Sequence, residues 1–326
     1  MHAQKNVTPV IGLIGLGFWG EKLLLSCRDL NISVVVTDMD PKRREYIHAR
    51  YPDISVASSV NEIFTAQSVI ACIIATPPLT HFSLAVSALT HRKHVLVEKP
   101  MTQDSEEAKK LIHLAIKHKC ILMVDHIFLF SPVIHTVKRY IEKGAIGQIT
   151  MIKSVRERGR IHKGSCALWD LAPHDISIAS FLLDGSPVRA RILTPHAYPK
   201  IIEDAAYQLT YPNHVTLEGR VSWITPVKKR QMEIIGKSGA MTIRWDSGSE
   251  QLTLYKPSKG KYSFHTQKTY NRTPKEPPMN TMLRHFLTSM KHNQSPLTDG
   301  RHALQVIQAI SALHTSHDHK GASVQI

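Results

Sequence analysis

Residues 10–125 alternate between short apolar runs and longer amphipathic stretches. The apolar runs are typical of strands buried on both faces; they are Val10–Gly15, Ser33–Thr37, Ser68–Ala75, His94–Val97 and Ile121–Asp125. The stretches between them have the period of helices, which are predicted over Phe18–Leu30, Pro41–Tyr51, Leu79–Thr90 and Ser105–Lys119. Regular strand–helix alternation predicts right-handed crossovers and an α/β, doubly wound parallel sheet.

The pattern changes after Asp125. Helices are predicted over Pro132–Lys143 and about Trp169–Leu183, with a strand between them at Gln148–Arg158. Segments of period 2, separated by turns, predict further strands; they are Val188–Leu193, Ala206–Tyr211, His214–Ile224, Arg230–Ile235, Met241–Trp245 and Gln251–Tyr255. Two more helices follow a Pro-rich connector. We therefore predict a first domain over residues 1–125 and a second, α+β domain over residues 126–326, whose antiparallel sheet of about six strands carries helices on one face.

Composition agrees with a two-domain globular protein. The 326 residues are 42% hydrophobic and 21% charged, which excludes disordered and fibrous classes. No run approaches the ~18 apolar residues of a membrane-spanning helix, and the start of the chain lacks the shape of a secretory signal. The four cysteines have no C-x-x-C spacing, which argues against disulfides and zinc. We expect a reduced, cytoplasmic protein that holds no metal and contacts no membrane.

The net charge of +15 lies almost entirely in the second domain. Residues 1–125 carry a net charge of +2 and residues 126–326 carry +13. A basic domain of this kind can attract a polyanion or a small acidic molecule. No helix-turn-helix and no basic patch interleaved with aromatic residues accompanies the charge, so nucleic acid is not an expected partner.

A glycine-rich turn joins the first predicted strand to the first predicted helix. Gly15, Gly17 and Gly20 form a G-x-G-x-x-G pattern, which lets the backbone approach a pyrophosphate and directs the helix N-terminus at it. Asp38 lies 23 residues after Gly15, at the end of the next strand, where a carboxylate accepts hydrogen bonds from the ribose hydroxyls of NAD. Alternatively, Asp38 is a loop carboxylate or caps the following helix, a role that Asp40 fills equally well.

Asp38 also indicates which nicotinamide cofactor binds. Its charge would repel the 2′-phosphate of NADP, so we predict NAD, with NADP less favoured. Arg43 lies in the first turn of the next helix and could reach the adenosine pocket, whereas Arg44 points about a quarter-turn further round. Phe18 and Trp19, inside the glycine pattern, are further predicted cofactor contacts.

Two more motifs end predicted strands at the sheet edge where ligands bind in such folds. The first is Ala75-Thr76-Pro77 with His81, for which a simple turn into a helix is the alternative. The second is Glu98-Lys99-Pro100. Lys99 is either a solvated loop residue or a proton-transfer group whose pKa falls beside an oxidised nicotinamide.

Asp170 and His174 are four residues apart, so on a helix both side chains project from one face. Pro173 is tolerated only in the first helical turn, which predicts that the pair begins a helix. The imidazole is then an acid–base group, with the carboxylate as its orienter or as a substrate anchor. Alternatively, Asp170 is an N-cap and His174 a surface histidine.

Three arginines alternate before this helix. Arg156, Arg158 and Arg160 share one face of a strand, and guanidinium groups match the geometry of phosphate and carboxylate. We predict that they contact the substrate; the alternative is a solvated basic strand face.

In their order and spacing these motifs resemble those of the Gfo/Idh/MocA oxidoreductases, named for glucose–fructose oxidoreductase and inositol dehydrogenase. The resemblance implies a Rossmann domain that binds NAD(P), and a second domain whose open sheet carries substrate and oligomer contacts. It also implies catalytic roles for Lys99, Asp170 and His174. Many members carry an acid three residues after the histidine, whereas this chain has Ser177 there and Asp175 directly after His174.

A closer likeness is to the branch of this family that acts on nucleotide sugars. It rests on Leu168–Ile176, on His285-Phe286 and on Pro296–Gly300. The better-known members of the branch are UDP-N-acetylglucosamine-type 3-dehydrogenases of surface-polysaccharide pathways, and a diphosphate substrate suits the basic second domain.

We therefore predict NAD-dependent oxidation of a sugar secondary alcohol, on a nucleotide-linked sugar, or the reverse reduction. The alternatives are a dehydrogenase of inositol or a free sugar, and a cofactor-binding regulator without turnover. The predicted cofactor contacts are Gly15, Gly17, Phe18, Trp19, Gly20, Asp38, Arg43, Thr76, Pro77, His81, Glu98 and Lys99. The predicted substrate contacts are Lys99, Arg156, Arg158, Trp169, Asp170 and His174. The resemblance implies a homodimer or homotetramer formed through the second-domain sheet.

Overall fold

The computed structural model describes residues 10–159, 165–194, 202–246, 249–258 and 264–326, and the chain divides into two compact units. The strands of the first unit are β1 Val10–Ile14, β2 Val34–Thr37, β3 Ser55–Val56, β4 Val69–Ile74, β5 His94–Glu98 and β6 Leu122–Asp125. Its helices up to β6 are α1 Phe18–Asp29, α2 Pro41–Arg50, α3 Val60–Thr65, α4 Pro78–Thr90 and α5 Ser105–His118.

These strands form one parallel sheet in the order β3-β2-β1-β4-β5-β6. The order reverses direction between β1 and β4, which makes their carboxyl ends the expected ligand edge. The predicted doubly wound sheet is therefore confirmed. The pattern did not predict β3 or α3, because two strand residues and six helical residues are too short to show a period.

The first unit also takes a segment from late in the chain, Met279–Leu304. The backbone N–H of Val124 donates to the carbonyl of Thr298, at 2.8 Å, and the Thr298 hydroxyl donates back to the Val124 carbonyl, at 2.6 Å. Met123 and Asp299 form an isolated antiparallel bridge beside these bonds. The sequence boundary at residue 125 assigned this segment to the second domain, because a pairing across more than 170 residues leaves no local signal.

The second unit contains Phe128–Pro278 and Gln305–Ile326. Its helices are α6 Pro132–Glu142 and α7 Ala167–Leu183, while α8 Pro278–His292 lies almost entirely in the first unit and α9 Gly300–Asp318 is divided between the two. Its strands are β7 Ile149–Glu157, β8 Arg189–Ile192, β9 Asp204–Thr210, β10 Thr216–Ser222, β11 Lys229–Gly236, β12 Gly239–Asp246, β13 Ser249–Pro257, β14 Phe264–Arg272 and β15 Val324–Gln325.

Within the described ranges this second sheet has nine strands, in the order β14-β13-β12-β11-β7-β10-β9-β8-β15. The pairs are antiparallel except β7 with β10, which are parallel at its centre. The prediction of about six strands was therefore too low. β14 escaped prediction because its side chains are mostly polar, and β15 because it has two residues. Side chains alternate between a face packed on α7, with Ile152 and Leu217, and a face that exposes Lys153 and Arg220.

Helix α7 begins earlier than its sequence pattern predicts. Cys166 occupies the N-cap position and the N–H of Asp170 donates to its carbonyl, at 2.9 Å. Asp170 is therefore the fourth helical residue and not the N-cap. Pro173 lies inside the helix rather than in its first turn, so the placement of the pair at the helix start was wrong. The spacing of four residues still puts Asp170 and His174 on one face.

None of the helices in the described ranges combines the length and the apolar character needed to cross a membrane. All four cysteines are free thiols.

Candidate active site

The glycine-rich turn between β1 and α1 has the shape of a phosphate-binding loop. Gly15 has φ +93°, and a Cβ there would lie 2.7 Å from the carbonyl oxygen of Ala75. A Cβ on Gly20 would overlap the carbonyl oxygen of Gly15, so this position packs helix on strand. A Cβ on Gly17 would meet nothing within 4 Å. The open space in front of Gly17, at the N-terminus of α1, is where a pyrophosphate fits.

Asp38 lies at the end of β2, directly beside this turn. Its carboxylate accepts hydrogen bonds from the backbone N–H of Leu16, at 2.7 Å, and of Asp40, at 2.9 Å. Asp40 caps α2 by accepting from the N–H of Lys42. The two acids therefore have separate roles, and the Asp38 carboxylate is held in place at the position where a ribose would lie.

Two of the three arginines of α2, Arg43 and Arg44, extend toward the glycine-rich turn and the end of β2. Arg43 donates from Nη2 to Glu21, at 2.6 Å, and from Nε to the Leu16 carbonyl. Arg44 donates to the carbonyl of Asp38, at 2.6 Å. Arg44 was expected about a quarter-turn further round the helix than Arg43; its long side chain nevertheless reaches back to the loop that precedes the helix. Arg43 is thus paired with a carboxylate, whereas Arg44 donates to a backbone carbonyl.

Two aromatic side chains stand at the start of α1. Phe18 is 68% and Trp19 is 40% exposed, and their rings meet edge to face with centroids 5.3 Å apart. Lys22 lies over both rings, with Nζ 4.2 Å from the Phe18 centroid. Exposed aromatic rings beside a phosphate loop offer apolar surface to a ligand, and their contact with the cofactor stays a prediction.

His81 links the loops that follow β4 and β5. Its ring nitrogens lie 2.8 Å from the carbonyl oxygen of Pro100 and 2.7 Å from that of Thr76, and its side chain is fully buried. Burial lowers the pKa of His81, so the ring is neutral and donates to one carbonyl at a time. The prediction made His81 a cofactor contact; its burial gives it a positioning role instead. Thr76 and Pro77 remain on the accessible loop.

Lys99 follows β5 directly, and its peptide bond to Pro100 is cis. Beside it, Glu98 is paired in register with Asp125 at the end of β6. Burial, and next the charge of Asp125, raises the pKa of Glu98 well above its ordinary value. Burial likewise raises the pKa of Asp125 to about 6. Ionisation of both carboxyl groups at once is therefore disfavoured next to Lys99.

Two buried histidines complete this corner of the first unit. The rings of His126 and His302 meet edge to face with centroids 5.3 Å apart. Burial, and next the charge of His302, lowers the pKa of His126 well below its ordinary value, and burial lowers the pKa of His302 to about 4. Both rings are thus neutral near pH 7. Sequence reasoning missed these histidines and Asp125, although Asp125 ends a strand at the ligand edge just as Asp38 follows one.

In the second unit, Asp170 is held by its neighbours on the sheet. The indole N–H of Trp223 donates to its Oδ2, at 3.1 Å, and Nη1 of Arg158 lies 3.9 Å from the same oxygen. His174, one turn further along α7, meets the ring of Phe128 edge to face with centroids 4.9 Å apart. The structure thus provides a carboxylate and an imidazole on one helical face, each with a defined neighbour.

Arg156 has a different environment from the one predicted. Nε and Nη2 of Arg156 donate to the same oxygen of Asp175, at 3.1 and 2.8 Å, and both side chains are almost fully buried. Asp175, which follows His174 in the sequence, is therefore the internal partner of Arg156. The prediction that Arg156 contacts the substrate is wrong, because this guanidinium already has a buried carboxylate. Arg160 lies outside the described residues.

Trp169 packs away from these groups. Its ring stacks on that of His314 with centroids 6.0 Å apart, and the Cys166 thiol lies 3.7 Å from Nε2 of His314. Trp169 is half-buried, so part of its surface can still face a ligand.

A further basic residue, beside Arg156 and the Phe128 ring, was not predicted. Arg230 on β11 is paired in register with Arg156 on β7, and its guanidinium carbon lies 5.8 Å from the centroid of Phe128. The sequence shows Arg230 only as the start of a strand. Its position beside Arg156 depends on the sheet register.

Two family models match the chain. One, described as the oxidoreductase family with an NAD-binding Rossmann fold, matches residues 10–126. The other, the GFO/IDH/MocA C-terminal domain, matches residues 134–242. An uncharacterized oxidoreductase of Synechocystis sp., sll0816, is 36% identical over 286 residues, which are 78% of this chain and 75% of that protein. Matches to some other curated relatives span about half of their length, 54% and 50% in two cases.

Solved structures show the same fold. UDP-N-acetylglucosamine 3-dehydrogenase GnnA from Acidithiobacillus ferrooxidans superposes with a TM-score of 0.82 at 22% identity, covering 94% of this chain and 98% of that one. Levoglucosan dehydrogenase, solved with NADH and levoglucosan, superposes with a TM-score of 0.85 at 20% identity, covering 98% and 99%. With both family models matched in order, the chain belongs to the Gfo/Idh/MocA family of NAD-binding oxidoreductases.

Proposed function

We propose that the protein oxidises a secondary alcohol of a sugar with NAD, or catalyses the reverse reduction. The observation that carries this proposal is that the NAD-binding unit presents Lys99 at its ligand edge, while the second unit holds Asp170 and His174 on one face of α7. A regulator that only senses the cofactor has no need of proton-transfer groups, so we favour an enzyme over a regulator.

The oxidised nicotinamide of NAD, when bound, accepts a hydride from the alcohol carbon. The hydroxyl proton must leave at the same time, and we assign it to Nε2 or Nδ1 of His174 as general base. Asp170, held by Trp223, orients the substrate or the imidazole. Lys99 polarises the substrate oxygen; it and His174 can exchange these roles.

The Glu98–Asp125 pair supports a role for Lys99 in proton transfer. Glu98 precedes Lys99 directly in the chain and is paired in register with Asp125 at the end of β6, so two further acid–base groups lie beside Lys99. We assign Nζ of Lys99 the donation of a hydrogen bond or a proton to the substrate oxygen.

We further propose that the sugar is nucleotide-linked, as in surface-polysaccharide synthesis. The net charge of +13 on residues 126–326 favours an acidic substrate, and GnnA shares the fold. A neutral sugar or inositol is the second candidate, favoured by the equal likeness to levoglucosan dehydrogenase. A homodimer or homotetramer through the second-domain sheet, and a cytoplasmic location, remain predictions.

Appearance of NADH with a panel of alcohols tests the function. The panel contains UDP-N-acetylglucosamine, N-acetylglucosamine, myo-inositol and glucose. Once a substrate is found, Lys99→Ala and His174→Ala should each lower kcat by about 10²-fold or more. Near-normal turnover in both variants would remove these residues from the mechanism, and NADH binding without turnover of any alcohol would favour the regulator.

A further inference from the structure

Arg156 and Arg230 lie directly opposite each other on adjacent antiparallel strands. Both guanidinium groups approach one aromatic ring, with Arg156 at 4.4 Å and Arg230 at 5.8 Å from the centroid of Phe128. Like charges at facing positions of a sheet destabilise it. Such a pair needs compensation from nearby acids or from a bound anion.

The neighbouring acids are already engaged. Asp175 receives both of its guanidinium hydrogen bonds from Arg156, at 3.1 and 2.8 Å. Asp170 receives the Trp223 indole N–H and has Arg158 at 3.9 Å. In the described parts of the chain, no carboxylate forms an ion pair with Arg230.

Arg230 is surrounded by further basic side chains. The pKa of Arg230 is lowered to about 10, first by burial and then by Arg156 and Arg158. Lys228, two residues earlier, has its pKa lowered by Arg230, by burial and by Arg158. Asp170 and Asp175 oppose this effect at Arg230 without cancelling it. The cations exceed the acids here, and Arg230 is only half-buried.

We propose that Arg230, together with Arg158 and Lys228, binds an oxyanion carried by the substrate. A guanidinium that donates from several N–H groups matches a phosphate or a carboxylate. His174 and Arg230 both approach the Phe128 ring, with the His174 ring centroid at 4.9 Å and the Arg230 guanidinium carbon at 5.8 Å from its centroid, so we place the anion on the same side of the second unit as the proposed base. The inference rests on the proposed function and names its substrate class: a sugar bearing a phosphate or a carboxylate. Arg156 does not bind the anion, because it is paired with Asp175 and packs against the Phe128 ring.

The test is calorimetric titration of NADH-saturated protein with three probes: UDP, D-glucuronate and N-acetylglucosamine. Saturation with NADH keeps UDP out of the dinucleotide site. Arg230→Ala should weaken binding of UDP or of D-glucuronate by about tenfold or more, because it removes charge-assisted hydrogen bonds. Whichever of the two is weakened identifies phosphate or carboxylate as the recognised group.

Lys229→Ala is the matched control. It removes a positive charge from the same strand, but its exposed side chain alternates to the opposite face, so we expect less than about a twofold change. Arg230→Lys keeps the charge and loses the planar group with several N–H donors, so its loss of anion affinity should lie between those of Arg230→Ala and Lys229→Ala. A thermal melt of each variant verifies folding, and Arg230→Ala should melt no lower than the unmodified protein, since it removes a like-charge pair.

Two results would overturn the inference: unmodified protein that binds neither anion, or Arg230→Ala protein that binds both as tightly as the unmodified one. Turnover separates these from failure of the proposed function. Oxidation of a neutral sugar without anion binding retains the oxidoreductase and removes the anion site. Anion binding that depends on Arg230 without oxidation of any alcohol retains the site and removes the activity.

Discussion

The buried pair of Arg156 and Asp175 allows a quantitative test of how the second unit is held together. The side chains are 3% and 2% exposed, so neither charge can be solvated when the other is lost. Asp175→Asn keeps the shape of the side chain and removes its charge. Breaking a buried ion pair on one side costs about 3–5 kcal/mol. At ~2–4 °C per kcal/mol for a unit of this size, the melting temperature should fall by roughly 6–20 °C.

Asp204→Asn is the control for this prediction. It makes the same chemical change in the pair with Arg220, at 3.0 Å, but the Arg220 side chain is 45% exposed. A surface pair contributes about 0–1 kcal/mol. Unfolding in guanidinium chloride, followed by tryptophan fluorescence, gives the free energy of unfolding of both variants. An Asp175→Asn variant within about 1 kcal/mol of the unmodified protein would refute the account of Arg156 as a paired structural charge.

A third variant tests the link to Arg230. Without Asp175, both Arg156 and Arg230 lose their shared source of negative charge, so Arg230→Ala should recover part of the stability lost in Asp175→Asn. The expected coupling between the two substitutions is about 0.5–3 kcal/mol. Additive effects would mean that Asp175 does not stabilise the charge of Arg230.

The remaining predictions concern the first unit. Asp38→Ser should narrow or reverse a preference for NAD. The affinities of NADH and NADPH for the unmodified protein and for the variant measure this preference. Equal or tighter NADPH binding by the unmodified protein would refute the role of Asp38 and favour Arg43 as a phosphate ligand. Gly17→Ala should weaken NADH binding with little loss of stability, because its Cβ meets no atom within 4 Å, whereas Gly20→Ala should destabilise the fold; the opposite ranking in fluorescence titration and unfolding would contradict the loop geometry. Asp125→Asn should remove a pH dependence: because the pKa of Asp125 is raised from 3.8 to about 6 by folding, ionisation opposes folding, and the free energy of unfolding should fall as pH rises between these values. Equal slopes for the unmodified and Asp125→Asn proteins in denaturant unfolding at several pH values would exclude that linkage.

The features that could be predicted from sequence are those with a local signal. The glycine turn, Asp38 and the parallel strands follow from short-range patterns, because turn residues and apolar runs report their own conformation. Alternation before α7 predicted one face for Arg156 and Arg158, and each of them reaches an acid of α7, Asp175 and Asp170 respectively. Sequence could not tell which of the two is paired, because Asp175 approaches from another element and Arg230 from a strand more than 70 residues further along.

Helix α7 shows a second limit of the pattern. A proline interrupts the backbone hydrogen bonds of a helix, which is why Pro173 suggested a helix start. Its helix continues through Leu183 because it lies buried on the sheet, and packing of that kind outweighs one lost hydrogen bond. Tertiary burial therefore shifted the boundary, while the spacing of Asp170 and His174 survived.

The return of Met279–Leu304 to the first unit affects how the chain can be divided. The polypeptide passes from one unit to the other three times, and α9 begins in the first and ends in the second. A fragment that stops at residue 125 would leave the Val124 backbone N–H and carbonyl without Thr298, exposing the β6 edge to pairing with other chains. The NAD-binding half is thus not a removable cassette. Grafting it onto another catalytic partner would require transplanting two separate stretches of the gene, or supplying a new cover for that strand.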